Sequence, residues 1–294
     1  MSARVPQTEG SNPRTRGLDT LKGGEVVALL IDDQRLAVEA VAAQAATLGE
    51  IVAQVAARLE RGGNLHYVGA GTSGRLGVLD ASEIPPTFGT DVDLICAHIA
   101  GGDSALRRAI EGAEDDASAG ADAMRDHVRK DDCVIGISAS GSAAYVIGAV
   151  RSAREVGAYT IGIVNAEGSA LAAVAERAVV LESGPEAIAG STRLKAGTAQ
   201  KIALNAISTA VMVALGKVHD NLMVDVVATN TKLHERALLL IEQLAHVDRG
   251  RSETLLALAD GRVKVAVVME RHNLDCVGAS QLLLEHRGRL RALL

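Results

Sequence analysis

The chain has 294 residues, 48% hydrophobic and 22% charged, with a formal net charge of −6. That balance excludes extended disorder, and an acidic chain with no basic run longer than a pair excludes a nucleic-acid surface of basic stripes and stacking aromatics. Aromatic residues make up 1% and Trp is absent, so the core must be built from Ala, Val, Leu and Ile, which suits helices packed closely on a parallel sheet.

The length fits one large α/β domain, alone or with a small satellite. Residues Thr8 to Pro13 open as an irregular arm of Gly, Pro and cap-type residues. From Glu25 to Arg61 apolar residues recur at helical spacing, which predicts two or three helices stopping at Gly62-Gly63. Short apolar runs then alternate with helical segments. The strand candidates are Leu65–Val68, Leu94–Ile99, Cys133–Ile137, Thr160–Val164 and Ala178–Leu181. Helices are expected at Gly74–Asp80, Ser104–Ala109, Ala117–Val128, Ala144–Val156 and Ser169–Ala175. This repetition implies right-handed crossovers and a parallel sheet covered on both faces, with ligands at the carboxyl ends of the strands.

A long helix should run from about Leu194 to Leu215, and another from about Lys232 to Leu244, with Asn221–Thr231 less regular between them. Breaks at Asp260-Gly261, Asn273 and Gly288 divide the tail into short helices. Val263–Met269 is read as one of these, since a strand there would have no partner. The expected organisation is an N-terminal arm with helices (1–54), an α/β domain (55–218) and a helical C-terminal region (219–294), with a small bundle from about 250. Asn205, Ser208 and Thr209 interrupt the most apolar helix, and Met1–Arg16 has no apolar core segment, so no membrane contact is expected. Cys96, Cys133 and Cys276 lie far apart with no metal-type or framework spacing, which favours a reducing, cytoplasmic compartment.

Three hydroxyl-rich loops carry the candidate chemistry: Gly71-Thr72-Ser73-Gly74, Ser138-Ala139-Ser140-Gly141-Ser142 and Gly190-Ser191-Thr192-Arg193-Leu194-Lys195. Each can offer amides, hydroxyls and a positive helix end to a phosphate. Ser, Thr and Gly are also ordinary turn and cap residues, so it is the recurrence of three such loops that points to a phosphorylated small molecule. No loop has P-loop spacing. Gly69, Gly71 and Gly74 match the dinucleotide fingerprint, but that motif wants an acidic residue ending the second strand. Here Asp91 and Asp93 precede the strand and Asp103 follows two further glycines, so dinucleotides rank below sugar phosphates. Glu83 stands before the stiff Ile84-Pro85-Pro86, and Glu114 in an acidic cluster that could equally favour a helix start. Paired carboxylates suit acid/base work.

The stretches Gly69-Ala-Gly-Thr-Ser-Gly-Arg-Leu-Gly77, Leu79-Asp-Ala-Ser-Glu-Ile-Pro-Pro-Thr87, Glu111-Gly-Ala-Glu-Asp115, Gly190–Lys201 and Asn221–Asn230 resemble the N-acetylmuramic acid 6-phosphate etherases. Thr8-Glu9, Asn12 and Leu18-Asp19 fit as well. The resemblance covers nearly the whole chain. It implies a sugar isomerase (SIS) fold, a three-layer α/β sandwich with a parallel sheet of about five strands, and a homodimer. The implied reaction cleaves the D-lactyl ether of N-acetylmuramic acid 6-phosphate, with no metal or redox cofactor. Glu83 would protonate the departing lactate oxygen, and Glu114 would be the second acid/base group. Thr72, Ser73, Ser138, Ser140, Ser142, Ser191 and Lys195 would contact phosphate and sugar, Lys195 alone carrying a full charge. One departure stands out. Where the family's second loop reads Ser-Gly-Arg-Thr-Pro-Tyr, this chain has Ser140-Gly141-Ser142-Ala143-Ala144-Tyr145. Two rivals share the fold: an aldose–ketose isomerase, which would release no lactate, and a non-catalytic sugar-phosphate sensor resembling the glucokinase regulatory protein.

Overall fold

The computed structural model describes residues 7–226 and 231–294. The last four residues of the Asn221–Asn230 motif lie outside the described residues. The chain divides into two compact units, residues 1–81 with 93–208 and residues 82–92 with 209–294.

The first unit begins with three helices, α1 (Gly23–Asp33), α2 (Arg35–Ala42) and α3 (Ala45–Leu59). Five strands follow: β1 (Leu65–Gly69), β2 (Ile95–Ile99), β3 (Cys133–Ser138), β4 (Tyr159–Val164) and β5 (Arg177–Val180). They form one sheet in the order β2-β1-β3-β4-β5, and every pairing is parallel. Between and after them run α4 (Gly71–Phe88), α5 (Ala117–Arg125), α6 (Ala144–Glu155), α7 (Ala170–Val174) and α8 (Lys195–Ala214). The central strands read as unbroken apolar runs because both faces are buried. On one face Val68, Val134 and Val164 pack with Met124, Val146, Val150 and Leu171 of α5, α6 and α7. On the other, Leu65, Tyr67, Ile135, Ile137, Ile161 and Ile163 are almost fully buried. Tyr67 bonds to Asp80 of α4, and Arg58 of α3 lies over the Tyr159 ring. This is the three-layer sandwich expected.

Close approach of α5 to α6 depends on glycine. A methyl group on Gly120 would lie 1.9 Å from the Tyr145 carbonyl oxygen, and one on Gly148 2.1 Å from that of Ala117. Near the β1–β2 edge, His66 Nδ1 and His98 Nε2 are 3.1 Å apart, with the His127 ring tilted against His98 beyond them. His66 Nε2 lies 3.6 Å from Asp132, which is already held by the amides of Asn64 and Arg129.

Two helices depart from the expected bounds. The segment expected as a helix at Ser104–Ala109 is a 3-10 turn, Asp103–Leu106. The helix expected to end at Asp80 starts earlier and continues through Pro85 and Pro86 to Phe88. Two prolines remove two helical donors, yet they sit in the last turn, and Ile84 and Phe88, one turn apart, are both buried. Gly89, at φ 58°, ends the helix by donating to the Pro85 carbonyl.

The second unit contains a small antiparallel pair, β6 (Val218–His219) and β7 (Leu222–Met223), which the sequence reading did not anticipate. Four helices follow: α9 (Thr231–Ala245), α10 (Arg249–Leu258), α11 (Val263–His272) and α12 (Cys276–Glu285). Val263–Met269 is helical, as expected. These helices share an aliphatic core that includes Leu238, Ile241, Leu255, Val267 and Leu283. Lys264 is buried with it, its ammonium donating to the Gly216 and Gly288 carbonyls and to Asp225. Among the described residues no single helix is long and apolar enough to cross a membrane.

Candidate active site

The three hydroxyl-rich loops lie where the sheet topology puts ligands. β1 ends at Gly69 and α4 starts two residues later. The turn is possible because both ends are glycines: a methyl on Gly69 would meet the Gly74 nitrogen at 2.6 Å, and one on Gly74 the Gly69 oxygen at 2.8 Å. The result is a helix N-terminus whose first amides follow Ala70, a residue with no capping oxygen, so they suit an anion. Thr72 is half-buried there and Ser73 is buried.

Ser138 ends β3, and its hydroxyl accepts from the Gly141 amide at 3.1 Å. Ser140 and Ser142 share a hydrogen bond at 2.7 Å, and the Ser142 amide also reaches the Ser140 oxygen. Ser142 is exposed, and Ala143 and Ala144 lead directly into α6.

The third loop differs. The buried Glu186 carboxylate accepts from the Lys195 and Ala196 amides at 2.9 and 2.8 Å and so occupies the positive end of α8. Burial raises the Glu186 carboxyl above its ordinary pKa, opposed by those amides and by the Lys195 charge. The expectation that Lys195 offers a free charge to the phosphate meets a different arrangement. Lys195 is fully buried, with its ammonium 3.0 Å from Asp33 and 2.9 Å from the Pro185 carbonyl. Its position at the first helical residue turns the side chain inward against α1. Asn12 donates to the same two acceptors, Asp33 and the Pro185 carbonyl.

A buried hydrogen-bond chain joins the first two loops through Gln200 of α8, the helix that the third loop leads into. The Ser73 hydroxyl donates to Gln200 Oε1 at 2.8 Å, and Gln200 Nε2 donates to Asn165 Oδ1 at 3.0 Å. Asn165 donates in turn to the Leu181 carbonyl and Ser183, while its backbone amide reaches the Ala139 carbonyl of the second loop. The order of donors is fixed from the far end, since the Leu181 carbonyl can only accept. The sequence reading gave no role to Gln200 or Asn165. The signal available was a polar residue closing an apolar strand and another on a largely buried helix. Asn205 and Ser208, read only as interruptions of an apolar helix, both donate to the buried Asp80. With Tyr67, whose hydroxyl pKa burial pushes well above 10, they pin α4 against α8.

Glu83 is an exposed residue on α4, past Asp80. Glu114 is exposed in a 3-10 turn, Ala113–Asp115, that packs on α6, the helix carrying the second loop at its start. Arg75, in the first turn of α4, donates to the Leu106 and Arg108 carbonyls on the way to that turn. The structure thus gathers Thr72, Ser73, Ser138, Ser140 and Ser142 at the ends of adjacent strands. Ser191 lies in the loop that leads into α8, and Glu114 is set beside α6.

Residues 47–154 match the model described as the glucokinase regulatory protein N-terminal SIS domain, and residues 114–210 match the SIS domain. The chain is 48% identical over 289 residues to an N-acetylmuramic acid 6-phosphate etherase of Deinococcus radiodurans, covering 98% of this chain and 95% of that one. It is 46% identical over 288 residues to the protein of the same name in Salmonella typhi, covering 98% and 97%. Among solved structures, a phosphoheptose isomerase of Neisseria gonorrhoeae is similar over 64% of this chain and 97% of its own, at 20% identity and a TM-score of 0.49. A likeness of that size carries nothing about activity.

Proposed function

The chain belongs to the N-acetylmuramic acid 6-phosphate etherase family, and from that premise we propose that it cleaves the D-lactyl ether of N-acetylmuramic acid 6-phosphate. The products are N-acetylglucosamine 6-phosphate and D-lactate. In the open-chain sugar the aldehyde acidifies the proton on carbon 2. Glu114 removes that proton, a double bond forms between carbons 2 and 3, and the lactate oxygen leaves with a proton from Glu83. Water then adds to carbon 3, with a proton returned to carbon 2. Amides of the first loop and the hydroxyls of Thr72, Ser73, Ser138, Ser140, Ser142 and Ser191 hold phosphate and sugar. Lys195 acts through the loop it anchors. The observation that carries this reading is the linkage of the first two hydroxyl loops, in a chain of this family, through Ser73, Gln200 and Asn165.

The enzyme works as a homodimer in the cytoplasm, recycling wall-derived amino sugars. In support, Val27, Ile31 and Val38 on α1 and α2 are more than half exposed and form an apolar face suited to a second copy. Cys96, Cys133 and Cys276 are not joined in disulfides, which fits a reducing compartment. Incubation with N-acetylmuramic acid 6-phosphate should release D-lactate, and Glu83→Gln and Glu114→Gln should each cut turnover by about 100-fold or more. Near-normal turnover in both variants, or sugar-phosphate binding without lactate, would reject the mechanism.

A further inference from the structure

The arm at residues 8–15 runs along the segment that precedes Ser191 and bonds to it three times. The Thr8 carbonyl accepts from the Gly190 amide at 3.0 Å, the Asn12 amide donates to the Pro185 carbonyl at 3.2 Å, and the Thr15 hydroxyl donates to the Ala187 carbonyl at 2.8 Å. Behind these bonds lies a sealed cluster. Asp33, Glu186 and Lys195 are each at most 1% exposed, and Asn12, Thr8 and Thr15 are buried with them. The Lys195 ammonium pairs with Asp33 and donates to the Pro185 carbonyl, Asn12 donates to the same two groups, and Glu186 takes two helix amides. A buried ion cluster of this kind is costly to open, because removing any partner strands a charge. It therefore holds its loop in one arrangement.

We propose that the arm is a strap that sets the position of the Ser191 loop, and that Asn12, Thr15, Asp33 and Lys195 are positioning residues for the sugar phosphate, not contacts to it. The inference rests on the reading of Ser191 as a substrate contact. Without the strap the Pro185–Gly190 backbone loses its partners on one side, and Ser191 is free to move away from the first two loops.

The test uses Thr15→Val, which keeps shape and loses the hydroxyl, and Asn12→Ala, with Thr15→Ser as the conservative rescue. Lactate release, binding of N-acetylglucosamine 6-phosphate and inorganic phosphate by calorimetry, and hydrogen exchange across residues 185–193 are measured on the full chain. A strap predicts KM and the product Kd raised about tenfold with kcat within about twofold. It also predicts faster exchange at Gly190 and Ser191, and wild-type values in Thr15→Ser. Unchanged KM and Kd with a lower melting temperature would show a merely structural arm and overturn the proposal. If Lys195→Gln abolishes binding of inorganic phosphate while Asn12→Ala and Thr15→Val leave it intact, Lys195 is a direct contact and the proposal falls. A wild-type protein that binds the sugar phosphate but releases no lactate would defeat the etherase reading alone. The exchange and binding arms would still decide the strap.

Discussion

The second loop is where one side chain decides most. Ser140 and Ser142 spend a hydrogen bond on each other at 2.7 Å, and Ala143 has no hydroxyl where the family pattern has threonine. A hydrogen bond to a charged group contributes about 1.5–3 kcal/mol, so restoring the pattern with Ser142→Arg and Ala143→Thr should lower KM about tenfold or more, read from initial rates of lactate release. Unchanged KM would mean that the loop does not face the phosphate. Legibility at this scale was uneven. Thr72, Ser73 and Ser138 could be placed from sequence because loops at strand ends are a local property. The engagement of Lys195 with Asp33 could not, because it joins residues 162 positions apart and nothing near either one announces the other.

At the scale of elements, periodicity located all five strands of the sheet within a residue or so, since a doubly buried strand reads as an apolar run. It misjudged α4, because Pro85 and Pro86 are a stop signal only where the helix has nothing to gain by continuing, and here Ile84 and Phe88 are buried. The same contrast between local rule and packing gives a paired prediction. Gly120→Ala forces α5 off the Tyr145 carbonyl and should destabilise by about 1–3 kcal/mol, lowering Tm by several degrees in a thermal melt. Gly49→Ala, within α3 and with nothing within 4 Å of the new methyl, should instead stabilise by about 0.5–1 kcal/mol. Equal effects from the two substitutions would show that helix propensity, not the helix crossing, governs.

For the whole molecule the acid limb of stability has a visible source. His98 is pushed down to about 4, first by burial and then by His66 and His127. Burial also lowers His66, against the pull of Asp132. Both take up protons less readily in the folded chain than in the unfolded one, where they charge near 6.5, so stability is lost as pH falls below about 6.5, for His98 down to about 4. For His98 the loss is at most about 3 kcal/mol. Glu186 runs the other way, since a raised carboxyl pKa favours the folded state most at low pH. Urea midpoints should therefore drop between pH 7.5 and 5, and His98→Gln should flatten the slope. An unchanged slope in that variant would place the acid sensitivity elsewhere.

The strap also bears on how the protein is made. Asn12 meets the Pro185 carbonyl across 173 residues, and Thr15 meets Ala187 across 172. At a synthesis rate of about 5–20 residues per second, residues 8–15 wait roughly 10–35 s for the loop they hold to be made. Throughout that interval Asp33 lacks its ammonium partner, and α1 must persist without the contacts that later bury its last residue. The Ser191 loop is consequently among the last parts of the first unit to set, so ribosome-bound chains short of Lys195 should carry an open site on an otherwise finished sheet.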